Sequence, residues 1–445
     1  MKRILILGAG LSSSSLIKYL LDHSEEHDWK VVICDASLEL AKKKAENHPR
    51  SEVFYFDVFD ADQRIAEIQK SDIVISMLPA RMHHLVAVDC VKCEVDMVTA
   101  SYVSDEVKAL DKEATAKGVL LLNEIGVDPG IDHMSAMQIL DHIREAGGKI
   151  INFESSTGGL VAPEYDNNPW NYKFTWNPRN VILAGQGVSQ FLHNGKYKYI
   201  PYRKLFSRTE LVKILDLGEF EIYPNRDSLK YREIYGLEDI QTMFRGTIRR
   251  KGYSEAWNVF VQLGLTDDTF IIEDSATITY REYIDRFLPN NSRLSTESIL
   301  AKVAKIDVES DIMEKIIWTG IFENKVIGLE KATPAQVLQH LLEEKWILDP
   351  EDKDMIVMHH LFDYEIDGEE KGLTSTMVVK GTDQVHTAMS ITVGVPAAIA
   401  TKLILTNKIN LKGVQVPIVK EIYQPVLEEL NAYGIRFIEQ EVKKN

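Results

Sequence analysis

Cysteine is scarce in this chain: there are three in 445 residues. That excludes a disulfide scaffold and points to a reducing compartment. Two of the three form Cys90-Val91-Lys92-Cys93, but no second pair exists to complete a zinc site. No H-E-x-x-H spacing occurs, and the neighbouring rings of His83-His84 and of His359-His360 do not converge on one metal. The expected metal content is none. Positive charge is also in deficit, with 51 Lys+Arg against 67 Asp+Glu and a net charge of −16. Such a balance argues against nucleic acid or an anionic membrane surface as partner, while leaving room for a small anion held by a local Arg cluster. Long apolar runs are missing too. The weakly polar stretch from His386 to Lys402 carries Gly394 and Pro396 and falls short of the ~20 residues of a membrane span. Met1-Lys2-Arg3 leads into only four apolar residues, too few for a secretory core. No repeat or low-complexity tract stands out. A soluble, cytoplasmic protein of about three domains is expected.

The first 125 residues alternate short apolar runs with amphipathic segments. Strands are expected at Arg3–Leu7, Lys30–Cys34, Val53–Phe56, Ile73–Ser76, Met97–Thr99 and Val119–Leu122, with helices such as Ser37–Asn47 and Asp105–Lys117. That alternation predicts a doubly wound, mostly parallel sheet, which binds ligands beyond the carboxyl ends of its strands. The first strand runs into Gly8-Ala9-Gly10-Leu11-Ser12-Ser13, a G-x-G-x-x-S version of the dinucleotide fingerprint. The two glycines allow a tight turn and close approach of backbone to a pyrophosphate, and the helix that follows offers its N–H groups and positive dipole end. Asp35 closes the second strand, where a carboxylate binds the ribose hydroxyls of NAD; it also suits a helix cap. Asp57 ends the third strand on the adenine side, and Met77-Leu78-Pro79 ends the fourth, under the nicotinamide ribose.

Beyond Leu122 comes Asn123-Glu124-Ile125-Gly126-Val127-Asp128-Pro129-Gly130-Ile131-Asp132-His133, a strand-end loop before a helix expected at Met134–Ala146. Asp132 suits a helix cap, and Asp128 is the better functional candidate. The segment from Gly158 through Asn168-Pro169-Trp170-Asn171-Tyr172 to Pro178 is aromatic and turn-rich. It reads equally as a functional loop or an aromatic mini-core. From about Tyr231 to Trp346 the pattern is helical. Asp367-Gly368 then marks a hairpin between Met355–Glu365 and Leu373–Val379, a helix follows around His386–Leu405, and the chain ends in a charged tail.

Several of these segments together resemble the saccharopine reductases, the glutamate-forming saccharopine dehydrogenases. The likeness rests on Asn123–His133, Gly158-Gly-Leu-Val-Ala-Pro-Glu164, Asn168-Pro169 with Tyr172-Lys-Phe174, Tyr223-Pro-Asn-Arg-Asp-Ser228 and Arg245-Gly-Thr247, and it extends from Gly8 through Val393–Ala397. The resemblance implies an α/β subunit of three domains. A Rossmann domain spans 1–126 and is completed by about 386–445. A mixed α/β substrate and dimerisation domain spans 127–230 and 351–385, and a small all-helical domain is inserted at 231–350. It also implies a homodimer of lysine metabolism. The implied reaction interconverts saccharopine with glutamate plus 2-aminoadipate 6-semialdehyde, moving hydride between NAD or NADP and an imine carbon.

The resemblance further implies cofactor contacts from Gly8, Gly10, Leu11, Ser12, Ser13, Asp35, Asp57, Val58, Met77, Leu78, Ala100, Ser101, Val127, Asp128, Pro129 and Trp176. Substrate contacts are implied for Ser101, Tyr102, Asp128, Arg226, Thr247, Ile248 and Arg249, with Asp128 and Tyr102 nearest the chemistry. A substrate with three carboxylates and amines asks for Arg forks and an acid, which agrees. Two departures stand out. Asp35 occupies the place of an Arg common in NADP-specific members, which favours NAD. Thr157 replaces a Cys often found before the paired glycines. The alternatives are a related imine reductase, such as one acting on carboxynorspermidine, or a non-catalytic cofactor-binding protein. Arg226 and the intact Asn123–His133 stretch favour saccharopine.

Overall fold

The computed structural model describes residues 1–291 and 293–443. Its contacts divide the chain into two compact units. The first holds residues 1–150, 354–358 and the chain from Asp363 onward; the second holds 151–353 and 359–362.

The first unit is built on a parallel sheet. Strands β1 (Lys2–Leu7), β2 (Trp29–Asp35), β3 (Ser51–Tyr55), β4 (Ile73–Ser76), β5 (Asp96–Val98) and β6 (Leu120–Leu122) all appear where the apolar runs placed them. The order is β6-β5-β4-β1-β2-β3, and Gly413–Gln415 adds a seventh strand beside β6. Every pair is parallel, and residues 4–7 of β1 are fully buried, because helices cover both faces of such a sheet. Strand order reverses at β1, between β4 and β2, which opens a crevice at the carboxyl edge there. The intervening helices include α1 (Ser14–Asp22), α2 (Leu38–Ala45), α3 (Ala61–Gln69) and α4 (His83–Cys93). The single helix expected at Asp105–Lys117 is two, α5 (Asp105–Lys108) and α6 (Asp111–Lys117); Leu110, at the break, packs on the sheet's hydrophobic cluster. Helix α7 (Ile131–Glu145) begins three residues earlier than expected.

The 18-residue helix Ala388–Leu405 is long and apolar enough to cross a bilayer, but 78% of it is buried in the fold. Its Gly394 lies against the start of α1, where a Cβ would sit 2.8 Å from the Leu16 nitrogen. The expected charged tail is partly a strand. Phe437–Val442 pairs antiparallel with Glu369–Lys380, and only the last two tail residues lie outside the described ones. Asp367 and Gly368 take positive φ at the expected hairpin turn.

The second unit carries a mixed sheet. Strands β7 (Lys149–Val161), β8 (Val188–His193), β9 (Lys196–Pro201), β10 (Glu210–Lys213), β11 (Glu219–Pro224) and β12 (Thr242–Arg250) contribute to it. The order is β10-β11-β12-β7, and the β8–β9 hairpin joins through β12. Two expectations fail here. Gly158-Gly159 lies inside a 13-residue strand instead of a loop, since its backbone runs so close to β12 that a Cβ on Gly158 would come within 2.6 Å of the Ile248 carbonyl oxygen. The helical pattern expected from Tyr231 is interrupted by β12, which sits between β11 and β7 and is buried on both faces. Its Arg245 and Arg249 hide the strand from any reading by apolar alternation. Helices resume at Tyr253–Leu263 and run to Pro334–Lys345. They pack around an aromatic core in which Trp170 and Tyr172 are fully buried beside Trp257 and Trp346. The mini-core reading of Trp170 is therefore the observed one; its Nε1 donates to the Lys315 carbonyl at 2.7 Å.

Candidate active site

The carboxyl edge of the parallel sheet collects most of the expected residues of the first unit. Gly8 follows β1 with φ +105°, and a Cβ there would sit 2.7 Å from the Met77 carbonyl oxygen, so only glycine fits beside the end of β4. Gly10 faces open space, and Leu11–Ser13 starts a helical turn with no side-chain cap. Uncapped N–H groups beside an open glycine form a cradle for phosphate oxygens. Asp35 Oδ2 accepts the Ala9 N–H and Oδ1 the Ser37 N–H, each at 2.7 Å. These residues fit a nicotinamide dinucleotide: Gly8–Ser13 would hold the pyrophosphate and Asp35 the adenosine ribose. Asp57 also tightens its own turn, accepting the Phe59 N–H at 2.9 Å, and Val58 is buried in the core behind it. Lys42 and Lys43 are exposed; Lys44 is half-buried and donates to Ser14 Oγ at the start of α1.

At the next edge, β5 leads into Ala100-Ser101-Tyr102. A Cβ on Gly126 would lie 2.9 Å from that of Ala100, so the Gly126–Pro129 loop rides directly on this stretch. The contact brings the two expected chemical groups together: Tyr102 donates its O–H to Asp128 Oδ1 at 3.3 Å, both half-buried. Glu124 braces the loop. Its Oε1 accepts the Val103 N–H at 3.0 Å, and its Oε2 lies 2.8 Å from His133 Nε2. Asp132 is not the helix cap expected of it: α7 starts at Ile131 with Gly130 as its N-cap and no side-chain cap, and Asp132, inside the first turn, accepts the Gly130 N–H at 2.6 Å.

In the second unit, Arg249 is 5% exposed and stacks on Tyr172 at 5.1 Å, Tyr253 at 5.4 Å and Tyr223 at 6.0 Å. Its Nη1 donates to the Ile248 carbonyl, its Nε has no partner, and no carboxylate among the described residues pairs with it. Burial opposes its charge, yet the three tyrosines hold its pKa above the ordinary value. The Tyr172 hydroxyl, pushed up to about 12 by burial, also lacks a hydrogen-bond partner. So does Thr157 Oγ1, on the strand residue in register with Thr247. A buried cation without a carboxylate, stacked on a tyrosine whose hydroxyl is idle, suits an anion. Ile248 is fully buried and offers only its backbone. Arg226, in a turn after β11 with φ +49°, is exposed, and Trp176 is 36% exposed.

Sequence reading passed over Tyr172 as a site residue and treated His83 as structural. The structure buries His83 between Ser76 and Ser101, at the carboxyl edge of the sheet. The signal available was its position, at the start of the helix that follows β4.

The profile described as the saccharopine dehydrogenase NADP binding domain matches residues 4–122, and that of the saccharopine dehydrogenase C-terminal domain matches 126–435. The chain is 32% identical to saccharopine dehydrogenase [NADP(+), L-glutamate-forming] of Schizosaccharomyces pombe, over 99% of each chain. It is 34% identical to the mitochondrial alpha-aminoadipic semialdehyde synthase of Rattus norvegicus, matching over its whole length but spanning about half, 48%, of that protein. Apo histidine-tagged saccharopine dehydrogenase (L-Glu forming) from Saccharomyces cerevisiae superposes with a TM-score of 0.90 at 31% identity, over all of both chains.

Proposed function

We propose, from the premise that this chain belongs to the saccharopine dehydrogenase family, that it oxidises the CH–NH group of saccharopine to release glutamate and 2-aminoadipate 6-semialdehyde, and catalyses the reverse. The observation that carries this is the buried, carboxylate-free guanidinium of Arg249, which suits an amino-acid substrate rich in carboxylates. A bound nicotinamide cofactor supplies the hydride acceptor. Hydride leaves the carbon that bears the secondary amine, the amine proton departs, and water adds to the resulting imine carbon to split the two products.

The chain's own residues prepare those steps. Arg249 and Arg226 bind substrate carboxylates, Thr247 and the Ile248 backbone line the same strand, and Trp176 contacts the nicotinamide end. Asp128 orients the secondary amine and takes its proton. Tyr102, by donating to Asp128, holds that carboxylate aimed. Met77, Leu78, Ala100, Ser101, Val127 and Pro129 border the nicotinamide.

For the cofactor we favour NAD(H) at least equally with NADP(H), although the relatives are named for NADP. The support is Asp35, whose carboxylate is pinned beside the glycine loop and would repel a 2′-phosphate. A cytoplasmic location is supported by three unbridged cysteines. A homodimer is supported by Tyr197, Tyr199 and Leu211, exposed on edge strands β9 and β10. The test is reduced-cofactor absorbance with purified protein, saccharopine and each oxidised cofactor. Absence of saccharopine-dependent reduction with both would overturn the reading.

A further inference from the structure

His83 opens α4 just beyond β4, and it is 5% exposed. Each ring nitrogen meets one hydroxyl: Nδ1 lies 2.8 Å from Ser76 Oγ, and Nε2 lies 2.6 Å from Ser101 Oγ. Burial, helped by the neighbouring His84, pushes its pKa down to about 4, so the ring is neutral. A neutral imidazole has one N–H and one acceptor nitrogen, and the two serines must therefore play opposite roles.

Ser76 decides which. It is fully buried, and its hydroxyl has His83 as sole hydrogen-bond partner among the described residues. A buried O–H without an acceptor costs more than an idle lone pair. Ser76 therefore donates to Nδ1, the ring proton sits on Nε2, and Nε2–H donates to Ser101 Oγ. With that oxygen already accepting from the ring, Ser101 keeps its own O–H for a ligand. Ser101 is half-buried and immediately precedes Tyr102, at the strand edge where Tyr102 meets Asp128.

We propose that His83 is a positioning residue that, as the middle of a one-way Ser76–His83–Ser101 relay, makes Ser101 a dedicated hydrogen-bond donor to a carboxylate oxygen of the substrate. A serine with both roles open would serve an amine or a carboxylate alike. One whose oxygen already takes an imidazole N–H keeps its O–H and a single lone pair, which favours an acceptor over an amine. The inference rests on the functional reading above, since it takes an amino-acid substrate as the ligand.

Ser76→Ala removes the far end of the relay and touches no ligand-facing group. The expected result is a saccharopine dissociation constant raised about three- to tenfold, the size of one net hydrogen bond. Ser76→Ala should add nothing in a Ser101→Ala background. Heteronuclear NMR of wild-type protein carrying isotopically labelled histidine should show His83 as the Nε2–H tautomer, independently of any substrate. An Nδ1–H tautomer overturns the relay, as do Ser76→Ala and Ser101→Ala effects that simply add. Wild-type protein that binds no saccharopine would instead overturn the functional reading, and the tautomer would then decide the relay alone.

Discussion

The carboxylate of Asp35 is bonded to the glycine loop itself: its Oδ2 accepts the backbone N–H of Ala9 at 2.7 Å. One residue thus ties the end of β2 to the turn after β1. Its second oxygen, on the Ser37 N–H, sets the entry to α2. Negative charge is thereby held rigidly beside the glycine loop, where the proposed reading puts the group by which the two cofactors differ, a phosphate or a hydroxyl.

If this fixed charge governs cofactor choice, Asp35→Arg shifts preference towards NADP, by removing repulsion and adding a cation. Dissociation constants of both oxidised cofactors, on wild type and variant, check it. Tenfold tighter binding of NADP by the wild type would mean that the carboxylate does not reach the ribose.

Asp128→Asn should lower turnover by about 10²- to 10⁴-fold, the range of a lost general base, with the fold intact. Tyr102→Phe removes the donor to Asp128 but leaves the carboxylate, and should cost less. Steady-state kinetics with saccharopine distinguish the two. A loss below about tenfold for Asp128→Asn, in a folded variant, would leave that residue a bracing role only.

Arg249→Met keeps much of the side-chain bulk among the tyrosines and removes the charge. Because no carboxylate is left behind unpaired, stability should hold or rise, while saccharopine affinity falls sharply. Arg226→Ala, at an exposed position, should weaken saccharopine binding without altering stability. Calorimetric binding with parallel urea unfolding measures both quantities. Unchanged affinity in either variant removes that arginine from the site.

Stability should fall as pH drops from about 6.5 to about 4. Burial depresses the pKa of His83 to about 4 in the folded chain, so across that window the unfolded chain binds the extra proton. The contribution is whole above the unfolded value and is lost as pH falls towards the folded one. One such histidine gives a slope of at most about 1.4 kcal/mol per pH unit. Burial of His359, also lowered to about 4, acts in the same direction. Urea midpoints through the window should show a shallower slope in His83→Gln than in wild type; equal slopes would mean that His83 is not the titrating group.

The parallel sheet was legible because strands buried on both faces must be almost wholly apolar, and Ile4–Leu7, Val31–Cys34 and Ile73–Ile75 announce themselves. The nucleotide loop was legible for a related reason. The turn at Gly8 has room for no side chain, and that requirement is written in one residue type. Strand β12 was not legible, because its arginines are buried only by virtue of what surrounds them. Arg249 gathers Tyr172, Tyr223 and Tyr253 from three separate segments, and no local period records such a meeting. The same holds for Tyr102 with Asp128, and for His83 between Ser76 and Ser101. Composition, periodicity and glycine placement are local consequences of backbone geometry, so the sequence alone determined the nucleotide-binding sheet and its loop. Burial and hydrogen-bond partnership depend on which distant segments pack together, so only the tertiary structure decided which polar groups face one another and which are left for a ligand.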